Sequence, residues 1–201
     1  MIKAIVYDLD GMLFNEPHYF SKELQLKYGI DSNDCDFSND PNYTSCKIGK
    51  ISFESFFSPY VKKWNKKCKK FNLNISKASK EWFDFTVLNK DMLEIARNLK
   101  SKGIMNFILT NNTKSRIKYL DKKYNLSKYF KIIGSFDLGV LKPDKRFYDV
   151  LIKKSKLKPE EILIFDDKED NIQIVKNMGF KGEVYKNLKA LKKIISSYNL
   201  K

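Results

Sequence analysis

The run Ile5-Val6-Tyr7, followed at once by Asp8-Leu9-Asp10-Gly11, constrains this chain more than any other stretch. A strand turns alternate side chains to opposite faces, so two acids one residue apart leave its end on the same side. Gly11 then permits a sharp turn. Two neighbouring carboxylates repel and need a cation or a proton between them. Such a pair suits a hard metal ion and covalent chemistry on an aspartate. The plain alternative is a strand capped by acidic turn residues, and the motif alone does not separate the two.

Three further segments weigh against that alternative. Ile104 to Thr110 is a second apolar run, and it ends in Thr110-Asn111-Asn112. Leu141-Lys142-Pro143-Asp144 places a lysine in a turn ahead of a helical pattern. Ile162 to Phe165 is a third buried-type run, closed by Asp166-Asp167, with Asn171 four residues beyond Asp167. A nucleophile, a hydroxyl, a lysine and a second acidic pair therefore follow in fixed order at strand ends or turns.

In that order the chain resembles the haloacid dehalogenase superfamily, most of whose members are phosphatases. Asp8 and Asp10 match its first motif, Thr110 its second, Lys142 its third, and Asp166, Asp167 and Asn171 its fourth. The resemblance is to the subfamily I branch with a helical cap and a paired-acid fourth motif. That branch includes sugar-phosphate phosphatases and the N-terminal domains of epoxide hydrolases. Met12 stands where the family usually has threonine or valine, a difference of packing rather than of chemistry.

The resemblance implies an aspartyl-phosphate mechanism. Asp8 is the expected nucleophile, and Asp10 the acid and then the base. Thr110, Asn111 (through its backbone N–H) and Lys142 are the expected phosphate-binding groups. Mg²⁺ is the expected cofactor, held by Asp8, the backbone carbonyl of Asp10, and Asp167, with Asp166 behind or through water. Asn171 is expected to support Lys142 or the acidic loop. His18, just after the first motif, is a candidate substrate contact, with an exposed structural histidine as the plainer reading. A carboxylate and a phosphate about 4 Å apart repel by ~4 kcal/mol per charge pair at an effective dielectric of ~20, so this chemistry requires the cations.

The rest of the chain fits an α/β fold, a Rossmann-like parallel sheet flanked by helices. Strands are expected near 2–8, 104–110, 131–134, 161–166 and 182–185, with amphipathic helical patterns between the later ones. Ligands of such sheets lie outside the carboxyl ends of the strands, where the motif residues fall. Residues 15–86 interrupt this alternation. Phe53, Phe56, Phe57, Tyr60, Val61 and Trp64 recur at helical spacing behind Ser52, a fitting N-cap. Residues 19–28 and 77–86 are further helical segments, and 31–45, rich in Asp, Asn and Ser, reads as irregular. The expected organisation is a core of residues 1–14 and 87–201 with an inserted helical cap of 15–86, hinged near 14–17 and 86–89.

Composition narrows the function classes. The net charge is +15, from 39 Lys and Arg against 24 Asp and Glu, yet the only arginines are Arg97, Arg116 and Arg146. Dispersed lysine favours a solvated surface that steers anions over a sequence-reading nucleic-acid face, where arginine serves bidentate contacts. Specific nucleic-acid binding is therefore not expected. Cys35, Cys46 and Cys68 form no C-x-x-C pair, and His18 is the sole histidine, so a zinc site is not expected either. No apolar run is long enough to span a membrane. The first strand starts at Ile2, leaving no room for a signal peptide, so a cytoplasmic location is expected.

The functional expectation is a Mg²⁺-dependent phosphatase acting on a small phosphorylated metabolite, with sugar phosphates as candidates. The alternatives are a 2-haloacid dehalogenase, a phosphoglucomutase-like phosphotransferase, or a non-enzymatic basic nucleic-acid-binding or scaffold protein.

Overall fold

A computed structural model describes residues 1–16, 18–35, 37 and 39–200. Pro17, part of the expected first hinge, lies outside the described residues.

The core is a five-stranded parallel sheet. Its strands are β1 (Ala4–Tyr7), β4 (Met105–Thr110), β5 (Lys131–Gly134), β6 (Ile162–Asp166) and β7 (Lys181–Val184). They lie in the order β5-β4-β1-β6-β7, so β1 is central, pairing with β4 on one side and β6 on the other. All five expected strands are present, with bounds shifted by at most two residues.

Period-two alternation sorts the apolar residues onto the two faces. Ile5, Tyr7, Ile108 and Phe165 pack under α5 (Lys90–Ser101), α6 (Lys114–Tyr124) and α10 (Leu188–Ser197). Ala4, Val6, Leu109 and Ile164 pack under α8 (Lys145–Ser155) and α9 (Glu169–Asn177). Both faces are covered, which is why these strands read as continuous apolar runs. Met12 is fully buried in the first cluster.

The inserted segment has an apolar cluster of its own, drawn from residues 20–83. It contains α1 (Phe20–Tyr28), α2 (Pro41–Lys47), α3 (Phe53–Lys67) and α4 (Ile75–Asp84). Gly29 ends α1 in the left-handed conformation, and the Ser52 side chain caps α3 by accepting from the Ser55 N–H. The described residues between 31 and 45 include two helical elements despite their composition. Ser32–Cys35 forms a 3₁₀ turn, and Asp40 caps α2, which has Pro41 at its first position. Proline there sacrifices no helix bond, so what reads as a breaker is a helix start.

The two crossings between core and insertion lie side by side. β2 (Phe14–Asn15) and β3 (Val87–Leu88) pair antiparallel, Phe14 opposite Leu88. The Asn89 N–H donates to the Leu13 carbonyl at 2.9 Å. A two-residue ribbon carries no sequence pattern of its own, and neither does the four-residue helix α7 (Ser135–Leu138) after β5.

Candidate active site

The carboxyl ends of β1, β4 and β6 open into a cavity of about 630 Å³. Asp8, Asp10, Thr110, Asn111, Lys142 and Asp167 all border it. Parallel register explains the convergence: Tyr7 is level with Ile108 and Phe165, so the next residues of three strands emerge together.

Lys142 is the electrostatic centre. Its Nζ lies 3.0 Å from Asp8 Oδ1 and 2.7 Å from Asp166 Oδ2, and its side chain is almost wholly buried. Burial opposes its charge, but Asp8 and Asp166 outweigh that and hold its pKa above the ordinary lysine range. Burial pushes the Asp8 carboxyl up to about 6, with Lys142 opposing and Asp166 adding to the rise. Burial and then Asp166 also raise Asp167. The cluster holds more negative charge than one lysine neutralises, which is a demand for a further cation.

The donor set fits a hard divalent ion. Asp8, Asp166 and Asp167 each offer an oxygen within 4.8 Å of the others, and Mg²⁺ takes carboxylate oxygens. Gly11 makes room for this group. It sits at φ +79°, and a Cβ there would lie 2.9 Å from Asp167 Oδ2. Asp166 is fixed from behind, accepting from Asn171 Nδ2 at 2.7 Å and from the Lys168 N–H at 3.0 Å. Asn171 thus braces the acidic loop rather than Lys142.

Asn111 turns its side chain from the cavity to the backbone of Lys142. Its Oδ1 accepts from the Lys142 N–H at 2.7 Å, and its Nδ2 donates to the Lys142 carbonyl at 3.0 Å. The lysine loop is thereby locked to the end of β4. Thr113 caps α6, its hydroxyl accepting from the Arg116 N–H.

The Asp10 side chain faces another partner. Arg116 Nη1 donates to Asp10 Oδ2 at 2.8 Å, and Nη2 to Oδ1 at 2.7 Å. Asn112 Nδ2 donates to Oδ2 at 2.9 Å. The Asp10 carboxylate therefore stands apart from the three-acid group. Arg116 lies in the first turn of α6, where the helix dipole disfavours a cation. Lys114 shares that turn, so the signal that could have singled Arg116 out is its being one of only three arginines in a lysine-rich chain.

His18 is outside the cavity lining. Its Nε2 lies 3.1 Å from Glu23 Oε2, and its ring packs edge-on against Phe85. Asn15, Glu16, Tyr19 and Lys168 border the cavity instead. Asn15 and Glu16 neighbour the first motif; nothing in their own sequence marks Tyr19 or Lys168.

Fold and site together define an α/β hydrolase of the haloacid dehalogenase type. Residues 5–182 match the haloacid dehalogenase-like hydrolase family, and the chain belongs to it. It is 26% identical over 196 residues to bifunctional epoxide hydrolase 2 of Mus musculus, covering 89% of this chain and 35% of that protein. The chain thus spans about a third of that relative's length. It is 25% identical over 192 residues to D-ribitol-5-phosphate phosphatase of Bacteroides thetaiotaomicron, covering 90% of each. A HAD family enzyme of the same bacterium, solved with magnesium and inorganic phosphate, superposes with a TM-score of 0.76 at 18% identity, covering 95% of this chain and 99% of that one. At that identity the likeness is one of fold. No helix among the described residues is long and apolar enough to cross a membrane.

Proposed function

We propose that this chain is a Mg²⁺-dependent phosphatase of small phosphomonoesters that works through an aspartyl-phosphate. The observation that carries the reading is the triad of Asp8, Asp166 and Asp167 beside buried Lys142, with Asp8, Asp167 and Lys142 bordering an open cavity. The 2-haloacid dehalogenase alternative needs no metal and leaves this excess of carboxylates without a purpose. The full-length phosphatase relative supports the same choice.

In this reading Asp8 attacks phosphorus as the bond to the leaving oxygen breaks. Asp10 gives that oxygen a proton, then takes one from the water that cleaves the aspartyl-phosphate. The Thr110 hydroxyl and the Asn111 backbone N–H receive the phosphoryl oxygens as charge shifts. Lys142 supplies fixed positive charge without reorganising. Bound Mg²⁺ would offset charge on the carboxylates and the phosphate, held by Asp8, Asp167, the Asp10 carbonyl and, behind them, Asp166.

Residues 15–86 act as the cap, and closure over the cavity selects small, flexible or sugar-like substrates. The three cysteines are unpaired, which suits a reducing, cytoplasmic setting. The test is kcat/KM with Mg²⁺, and again with EDTA, for a sugar phosphate, a nucleoside monophosphate and a phosphopeptide. Mg²⁺-dependent hydrolysis with the sugar phosphate preferred is expected. Undiminished activity in EDTA would overturn the metal reading, and a preferred phosphopeptide would overturn the closing cap.

A further inference from the structure

We infer that Arg116 is the positioning residue for Asp10, and that with Asn112 it selects Asp10 Oδ1 as the oxygen that exchanges the proton. The inference rests on the phosphatase reading. A carboxylate has about four acceptor sites, two on each oxygen. Arg116 and Asn112 together fill both sites on Oδ2, and Arg116 Nη2 fills one on Oδ1. Among the described residues one site remains, on Oδ1. The Asp10 side chain is 43% exposed and borders the cavity, so that site is within reach of solvent and substrate.

Stability does not explain Arg116. Its side chain is 9% exposed, and its buried Nε has no hydrogen-bond partner among the described residues. A buried donor left unpaired is destabilising, and a buried ion pair is weak support for a fold. An apolar side chain would fill the place at less expense. What the guanidinium adds is geometry: a planar fork that fixes both oxygens of a carboxylate at once. Its Nη2 also donates to Thr86 Oγ1 at 3.2 Å. Thr86 directly precedes β3, so one side chain ties the orientation of Asp10 to the crossing between cap and core.

The proton step states what is at risk. As the P–O bond breaks, its electron pair goes to the leaving oxygen, and the proton on Asp10 passes to it. An alkoxide requires that proton, whereas p-nitrophenolate leaves without it. Loss of orientation at Asp10 must therefore lower kcat/KM for alkyl substrates selectively, since the later water step, common to both, does not enter kcat/KM. A merely structural role for Arg116 would harm both alike.

The experiment measures kcat/KM for glycerol phosphate and p-nitrophenyl phosphate in the wild type, Asp10→Asn, Arg116→Lys and Asn112→Ala. General acid catalysis contributes ~10²-fold or more. Arg116→Lys keeps the charge but loses the fork, and should lose about that factor on glycerol phosphate while staying within about threefold on p-nitrophenyl phosphate. Asn112→Ala, which keeps Arg116, should show a smaller loss with the same selectivity, and decides the matter if Arg116→Lys does not fold. Equal losses on both substrates in these variants, beside a selective loss in Asp10→Asn, would overturn the inference and leave the phosphatase reading standing. If the wild type hydrolyses neither compound nor any other phosphomonoester, the reading fails and takes the inference with it.

Discussion

The sheet and the inserted helices bury apolar residues in different ways. In the sheet each residue has an assigned partner: Val6 lies level with Phe107 and Ile164, and a slip of one position would exchange the faces. The insertion relies on a crowd of rings instead. Trp82 meets Phe20, Phe37, Tyr43, Phe53, Phe56 and Phe57 at centroid distances of 4.6 to 6.1 Å, some stacked and some tilted. Such a cluster accepts many arrangements at similar energy. The candidate site therefore stands on the element whose geometry has least freedom. Among the described residues, polar ties between the two include Tyr119 and Lys123 of α6 on Asp84 of α4, each at 2.6 Å.

Substitutions on either side of that division should behave differently. The largest effect is expected from Asp8→Asn, which removes the proposed attacking group and should take turnover to the buffer background with a thermal midpoint near wild type. Retained hydrolysis by a preparation free of other phosphatases would sink the mechanism. Lys142→Met comes next, with a loss of ~10²–10³ in kcat or more. The Asp8 and Asp166 carboxylates would then face each other unpaired, so the metal-free variant should unfold at lower temperature, with added Mg²⁺ recovering part of the loss.

Phe57→Ala with Trp64→Ala probes the other side. Each removes a fully buried ring, and each should destabilise by ~3–5 kcal/mol. Substrate preference should shift more than the rate on p-nitrophenyl phosphate. Proportional loss on every substrate would show that the insertion is not separable from the catalytic core.

A subtler effect concerns protons. Burial, with Asp166 adding to it, pushes Asp8 up to about 6 in the metal-free protein. A metal ion binds the ionised carboxylate, so below that value a proton must be displaced. Apparent Mg²⁺ affinity should then fall by about tenfold per pH unit below about 6 and level off above it. Titration calorimetry across that range checks the sign; affinity that is flat in pH would remove Asp8 from the ligand set. The smallest effect is expected from Gly11→Ala, a loss of ~1–2 kcal/mol from the left-handed backbone, read by denaturant titration. Mg²⁺ binding should weaken with it, because the new Cβ crowds Asp167.

Much of this molecule was legible in the chain, for a local reason. Apolar runs of strand length, acids at their ends and a glycine after the first pair are short-range signals, and parallel pairing aligns strand ends wherever such runs alternate with helices. The five strands, and the placing of Asp8, Thr110, Lys142 and Asp167 around one cavity with Asp166 behind Lys142, followed from them. Helices α1, α3 and α4 were legible too, because ring spacing and capping residues lie within one segment. The remainder depends on residues far apart in sequence. Asp10 and Arg116 are 106 positions apart, and no periodicity links them. His18 sits beside the first motif in sequence but turns to Glu23 and Phe85, while Lys168 reaches the cavity rim from beyond β6. The β2–β3 ribbon forms only because the core brings two crossings together. The sequence by itself determined the order of the strands along the chain and the chemical character of their ends, since both are written in neighbouring residues. Only the tertiary structure decided which side chain each carboxylate meets, because a hydrogen bond or an ion pair depends on distances that the whole fold sets.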